Sequence, residues 1–111
     1  LENTQVQMRK GILEYCIPHI ISGGEVYASD MLDELTAARM IVVEGTLYPL
    51  LTRLKNAGLV EYKWVESKSG PPRKYYKLTD SGTGFLKGLT ETWDDLVHSA
   101  EQITQKSKTT I

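Results

Sequence analysis

The segment from Gly45 to Val60 constrains the fold most, because it places a short amphipathic helix, a glycine and the start of a β-strand in direct succession. Its apolar residues recur at intervals of three and four, the spacing that puts side chains on one stripe of a helix. These residues are Leu47, Leu50, Leu51 and Leu54. The opposite side carries the small or polar residues Gly45, Pro49, Thr52 and Asn56. The segment therefore predicts a helix with one face in a core and a polar face free to contact a partner.

A proline and a glycine indicate where this helix begins and ends. Pro49 is tolerated in the first turn of a regular helix, which favours Thr46 as the N-cap, and a start near Glu44 with a local distortion is the alternative. Gly58 is a typical C′ residue in the left-handed conformation, and Leu59 then begins a strand.

A basic hairpin follows the helix. Apolar and polar residues alternate from Val60 to Val65, which predicts a half-buried strand. Residues 68–72, with their Pro-Pro pair, form the predicted turn, and residues 73–78 form the return strand. We assign four aromatic residues to the sheet core rather than to base stacking: Tyr62, Trp64, Tyr75 and Tyr76. A helix, a glycine stop and a basic hairpin in this order are typical of a winged helix, a nucleic-acid-binding module.

Two further helices are predicted upstream. The first spans about residues 5–21, and its buried face carries Met8, Ile12, Cys16 and Ile20, with Leu13 and Ile17 beside them. Pro18 is expected to bend or end it, because proline removes one backbone hydrogen bond. Residues 22–24 form a stop. The second helix runs from Tyr27 to about Ala38, with Met31, Leu32 and Leu35 turned inward.

The last helix has an unbroken heptad pattern. The segment that begins at Thr79 has the pattern of a capped helix start. The apolar residues of the helix then recur at alternating intervals of three and four. This seam consists of Leu86, Leu89, Trp93, Leu96, Ala100 and Ile103. The seam is long and narrow, and the upstream helices already supply a core. We therefore favour packing of this seam against a second copy over packing against its own chain, and we expect a homodimer.

Composition excludes several classes of protein. The single Cys16 excludes an internal disulfide and has no companion for a zinc site. No apolar run approaches the ~20 residues of a membrane span, and residues 1–21 lack the pattern of a signal peptide, so we expect a cytoplasmic, nucleoid-associated protein.

Positive and negative charges are concentrated in different parts of the chain. Residues 44–77 carry seven cations against three anions, and residues 79–105 carry one cation against five anions. This separation suggests that the basic half meets a polyanion.

Three motifs together resemble the PadR family of bacterial and archaeal winged-helix transcriptional regulators: residues 44–54 (EGTLYPLLTRL), 58–60 (GLV) and 70–79 (GPPRKYYKLT). The resemblance extends over roughly residues 8–103, and the single last helix resembles the small PadR subfamily. Val43 stands where the family often has a capping serine. The resemblance implies a homodimeric repressor on a pseudo-palindromic operator of double-stranded DNA. Its third helix would lie in the major groove, its wing, the basic hairpin of residues 60–78, beside the minor groove, and its last helix would cross to the partner.

The predicted fold class is therefore α+β, mostly α. Residues 1–78 form a winged helix-turn-helix domain, residues 79–105 a C-terminal dimerisation helix, and residues 106–111 a disordered tail.

Candidate DNA contacts lie on the third helix and the wing. Hydroxyls of Thr46 and Tyr48 can reach phosphate near the helix N-terminus, where the helix dipole is positive. Thr52 and Asn56 face the expected groove and can touch bases, whereas Arg53 and Lys55 flank it and can reach phosphates. On the wing the candidates are Lys68, Arg73 and Lys74, beside a Pro-Pro turn that limits the entropy lost on docking.

Trp93 is the candidate effector site, because the heptad places an indole from each subunit near the two-fold axis. In some drug-responsive PadR-like regulators a tryptophan at this place stacks on planar aromatic ligands, and a large interface anchor is the alternative role. His19 and His98 have no partner at catalytic or metal-ligand spacing. We therefore expect no catalytic residues, no metal and no cofactor.

Two functions from different classes remain at this point. The first is a DNA-binding repressor, released by a change in the separation of its two recognition helices. The second is a winged-helix protein-interaction module that does not bind DNA and uses its acidic helix and aromatic strand face. An enzyme is the least favoured class, because no paired carboxylates, catalytic triad or phosphate-binding glycine loop is present.

Overall fold

The computed structural model describes residues 1–110, and their side chains as far as Gln105. Its elements are α1 (Glu2–Ser22), β1 (Val26–Tyr27), α2 (Ala28–Ala37), α3 (Glu44–Asn56), β2 (Val60–Ser67), β3 (Gly70–Leu78) and α4 (Asp80–Thr110). The three strands form an antiparallel sheet in the order β1-β3-β2. The predicted fold class, mostly helical α+β with a winged helix, is confirmed. The predicted tail, residues 106–111, lies outside the residues whose side chains are described.

The core is built from α1, α2, α3 and the inner face of the sheet. The leucine stripe of α3 is buried as predicted, and so are Met31 and Leu35 of α2. On α1, however, the buried stripe consists of Leu13, Ile17 and Ile21. Leu13 and Ile17 were predicted at the side of the buried face, but the predicted centre of that face is wrong. Met8 is 64% exposed, and Ile12, Cys16 and Ile20 are only half-buried. Two adjacent apolar stripes run along this helix, and packing against the other elements decides which of them is innermost.

Pro18 lies inside α1 without ending it. A stop at this proline, one of the two predicted outcomes, is wrong, because the helix continues to Ser22. Proline costs one backbone hydrogen bond, but the ring of Pro18 is fully buried. Its apolar packing offsets the missing bond.

Strand β1 was not predicted, because two residues are too few to show an alternating pattern. Val26 pairs with Tyr76, and Tyr27 pairs with Tyr75. Tyr27 was assigned to the second helix, whereas it lies just before α2, and its backbone N–H donates to the Asp30 carboxylate at 3.0 Å. The short strand thus fixes the start of α2 against the wing.

Helix α3 begins three residues earlier than the favoured prediction, at Glu44, where the alternative prediction placed its start. Its N-cap is Val43 and not Thr46, and the Val43 carbonyl accepts hydrogen bonds from the N–H groups of Thr46 and Leu47 at 3.0 and 3.1 Å. Pro49 therefore lies in the second turn. Its missing bond would have gone to the carbonyl of Gly45. Both residues are on the exposed side of the helix, where water can hydrate that carbonyl.

The end of α3 is confirmed. Gly58 adopts a φ of 76°, its N–H donates to the Lys55 carbonyl, and the Leu59 N–H donates to the Leu54 carbonyl, both at 2.9 Å. This pair of bonds is the Schellman motif, which turns the chain directly into β2.

The tip of the wing is tighter than predicted. The turn occupies Lys68 and Ser69, and both prolines of the predicted turn lie at the start of β3. The register shifts between Val65 and Ser67, so the prolines sit beside an irregularity of the ladder, where a strand tolerates residues without an N–H.

Helix α4 starts in close contact with the α3–β2 connection. The Thr79 hydroxyl accepts from the Gly82 N–H at 3.0 Å and donates to the Gly58 carbonyl at 2.6 Å, so the predicted cap is confirmed. A side chain at Gly82 would place its Cβ 1.9 Å from the Leu59 carbonyl oxygen. The molecule, with α4 included, measures 60 × 30 × 21 Å.

Candidate nucleic-acid interface

A groove of about 280 Å³ lies between the start of α2, helix α3 and the wing. Helix α3 contributes Tyr48, which was predicted for the interface. The wing contributes Trp64 from β2 and, from β3, the predicted Arg73 and Lys74. The structure therefore brings three predicted residues from separate elements into one site.

Arg73 is anchored at the rim of this groove. Its guanidinium lies over the Tyr27 ring, 3.8 Å from the centroid, and donates a hydrogen bond to the Ser29 hydroxyl. A stacked and hydrogen-bonded guanidinium has less freedom to lose on binding. The wing is thereby tied to the first turn of α2, whose positive dipole end adds to the local positive potential.

Lys74 and Lys55 converge on one aromatic ring. Their ammonium groups lie 4.5 and 5.5 Å from the centroid of Tyr62, and Lys74 also lies 5.4 Å from the ring of Trp64. Cations over ring faces keep their outward hydrogens free for an anion. Lys55 at the end of α3 and Lys74 on the wing therefore contribute to a single basic surface.

One aromatic assignment is wrong. Tyr76 is buried, and Tyr62 and Tyr75 are half-buried, as expected of sheet residues, but Trp64 is 61% exposed. The twist and irregular tip of the wing extend β2 beyond the core, so the alternating pattern continues where no partner surface remains. Sequence reasoning also missed Tyr27 and Ser29, whose role depends on contacts with a wing more than forty residues away.

The polar face of α3 is exposed, but its side chains differ in burial and in the hydrogen bonds that they already make. Asn56 is open to solvent, whereas the Thr52 hydroxyl donates to the Tyr48 carbonyl at 3.0 Å. Thr46 is half-buried and lies by a separate depression that it shares with α1 residues such as Arg9 and Lys10. Lys68 is exposed at the wing tip.

Arg53 is directed toward α1. Its guanidinium donates to the Glu14 carboxylate at 2.6 Å, and both side chains are exposed. Arg53 thus lies on the α1 flank of α3, while Lys55 lies on the sheet flank.

The comparisons with known proteins decide the family. Residues 17–88, from the second half of α1 to the start of α4, match the model of the transcriptional regulator PadR-like family. The chain belongs to this family. Its members are transcription regulators and not enzymes.

Several solved PadR-like proteins share this architecture. A PadR-like transcription factor from Bacteroides fragilis is 56% identical with a TM-score of 0.77, and the match covers 91% of this chain and 98% of that one. A PadR-like regulator from Bacillus cereus is 37% identical with a TM-score of 0.79, covering 89% and 97%. Bacillus subtilis PadR in complex with operator DNA has a TM-score of 0.66 at 23% identity, covering 71% and 46%.

The heptad seam of this PadR-like regulator becomes more exposed to solvent along α4. Leu86 is buried against the same chain and Leu89 is half-buried. Farther along, Leu96 is 60% and Ile103 71% exposed, and Ala100 is exposed as well. The proximal end of the seam therefore serves the domain itself, and the distal end presents apolar side chains outward.

Trp93 lies at the change between these two parts. It is 38% exposed and stacks on Tyr15 of α1, with ring centroids 5.8 Å apart and an angle of 24° between the planes. One face of the indole is thus covered by α1.

The remaining titratable candidates are structural in the described part of the chain. Burial raises the pKa of the Cys16 thiol, which disfavours a reactive thiolate. His19 packs edge-on against Tyr15, and His98 lies 3.2 Å from the Gln102 amide nitrogen. Among the described residues no group of His, Cys, Asp and Glu could hold a metal ion, and no helix there is long and apolar enough to cross a membrane.

Proposed function

We propose that this chain is a sequence-specific DNA-binding repressor that acts as a homodimer. The observation that carries the proposal is the shared groove of α2, α3 and the wing, where Tyr48, Arg73 and Lys74 lie together. A hydroxyl and two anchored cations around one concavity suit the phosphates of a duplex. Bacillus subtilis PadR, which has the same fold, binds operator DNA.

Each element has a distinct task in this proposal. The polar face of α3, with Thr52 and Asn56, enters the major groove and contacts base edges. Arg73, Lys74 and Lys68 hold phosphates beside it, and the aromatic supports of the first two keep them in place before DNA arrives. Phosphate contacts give affinity and orientation, while the α3 contacts select the sequence.

The distal seam of α4 supports the homodimer. Leu96 and Ile103 are exposed apolar residues in a heptad register on a helix of 31 residues. Such a seam is stabilised by a matching seam or face on a second copy. Two recognition helices about 34 Å apart then enter successive major grooves of a pseudo-palindromic operator.

Trp93 is the proposed site for a planar aromatic effector. Its half-open indole already forms a stack with Tyr15, so a flat ligand can extend or replace that stack. A ligand shifts the dimer away from its operator-bound spacing only by its difference in affinity for the two states. Trp93→Leu is expected to keep operator binding and to lose ligand-induced release. Unchanged release in this variant would leave Trp93 as an interface anchor.

A salt titration with duplex DNA tests DNA binding itself. We expect affinity to fall steeply with ionic strength, and Arg73→Ala with Lys74→Ala to reduce the slope of log K against log salt by about one unit per lost contact. The matched control, Lys77→Ala with Lys87→Ala, removes the same charge outside the groove and is expected to change the slope less. A protein-interaction module would show no salt-dependent duplex binding. An unchanged slope in the groove variant would mean that these two residues of β3 do not contact phosphate.

A further inference from the structure

Arg53 differs from the other cations predicted to meet DNA. In the described part of the chain Arg73, Lys74 and Lys55 rest on aromatic rings, whereas Arg53 forms an ion pair with a carboxylate, that of Glu14. An aromatic face leaves a cation its full charge, but a carboxylate neutralises it. Helix α3 therefore carries one cation, Lys55, whose charge is available to DNA, and one, Arg53, whose charge is already neutralised by Glu14.

The carboxylate of Glu14 and a DNA phosphate make the same kind of contact. Both are anions that accept hydrogen bonds from a guanidinium, and arginine binds either in the same forked geometry. An anion held by Arg53 would lie close to the Glu14 carboxylate, and two like charges at such a distance repel. Glu14 thus competes with a phosphate for the Arg53 guanidinium.

The location of the pair makes this competition specific. Glu14 is on α1, outside α2, α3 and the wing, and it contacts the recognition helix α3 across 39 positions of sequence. Both side chains are exposed, so the pair can exchange partners without disturbing the core. The adjacent Tyr15 points to α4, where it stacks on Trp93, so one turn of α1 contacts both the recognition helix and the dimer seam.

We propose that Glu14 is a positioning residue that acts as an internal substitute for a DNA phosphate: it holds Arg53 toward α1 and lowers the affinity of α3 for the duplex backbone. The inference rests on the proposed function, because it assigns a regulator of the same DNA-binding surface. Glu14 does not touch DNA; it sets how much of the Arg53 charge is available.

The test is a double-mutant cycle on a fluorescein-labelled duplex of random sequence, with binding measured by anisotropy at several salt concentrations. Glu14→Gln keeps the shape of the side chain and removes its charge. We expect it to tighten binding about two- to fivefold at low salt and to steepen the salt slope by up to about one unit. In the Arg53→Gln background, Glu14→Gln is expected to change neither affinity nor slope, because its effect passes through the guanidinium.

The matched control is Glu61→Gln, which removes one carboxylate from the exposed pair with Lys77 at 3.2 Å. If Glu61→Gln tightens binding as much as Glu14→Gln, or if the gain persists in the Arg53→Gln background, a general loss of negative charge is responsible and the proposal is wrong. Weaker or unchanged binding by Glu14→Gln also overturns it. Steep, salt-dependent binding by the wild type supports the proposed function whatever Glu14→Gln does. Absence of duplex binding by the wild type overturns both.

Discussion

The winged-helix body, which consists of the elements α1 to β3, and the distal half of α4 differ in the exposure of their apolar side chains. In the body Leu47 and Leu51 are almost completely buried by their own chain, whereas Leu96 and Ile103 on α4 stand open to solvent. Both sets follow a regular helical spacing. The difference shows that the body completes its core within one chain, while the far part of α4 has an apolar stripe that only another surface can cover.

An aspartate introduced into each of the two regions gives the largest expected effect. Leu51→Asp places a carboxylate in the core, which costs several kcal/mol without a partner, so we expect the chain to unfold. Leu96→Asp places the same group on the exposed seam, so we expect native helix content and a monomeric mass. Circular dichroism and sedimentation velocity measure the two outcomes. A dimeric mass for Leu96→Asp, or loss of its helix content, would remove the distinction between the regions.

The junction between body and α4 gives the next largest effect. Gly82→Ala would drive a methyl group into the Leu59 carbonyl, so we expect a loss of about 1–3 kcal/mol in the free energy of unfolding. Gly84→Ala, two residues farther along, meets no atom within 4 Å, and the better helix propensity of alanine is expected to stabilise the chain by up to about 1 kcal/mol. Urea denaturation compares them. Equal effects would mean that α4 is not fixed by this contact.

The sequence predicted best what depends on neighbouring residues. The end of α3 at Gly58 and the strand after it follow from one glycine and a leucine stripe, and the Thr79 cap follows from its own hydroxyl. The innermost face of α1 and the continuation through Pro18 could not be predicted, because packing against distant elements decides both.

The same division applies to the site. Tyr48, Arg73 and Lys74 line one groove, and they could be predicted as candidates from short local motifs, the start of α3 and the cations beside the Pro-Pro pair. Ser29 and Glu14 could not be predicted, because each contacts an arginine about forty residues away in sequence. Trp64 was misassigned because its alternating pattern continues past the edge of the core.

In the proposed function the body binds DNA and the distal part of α4 joins two bodies. The most direct test is the mass of the protein–DNA complex, measured by sedimentation velocity on an operator duplex obtained by selection from random sequences. We predict two chains per duplex for the wild type, and one chain, bound more weakly, for Leu96→Asp. One chain per duplex for the wild type, or two for Leu96→Asp, would contradict DNA binding by a dimer joined through α4.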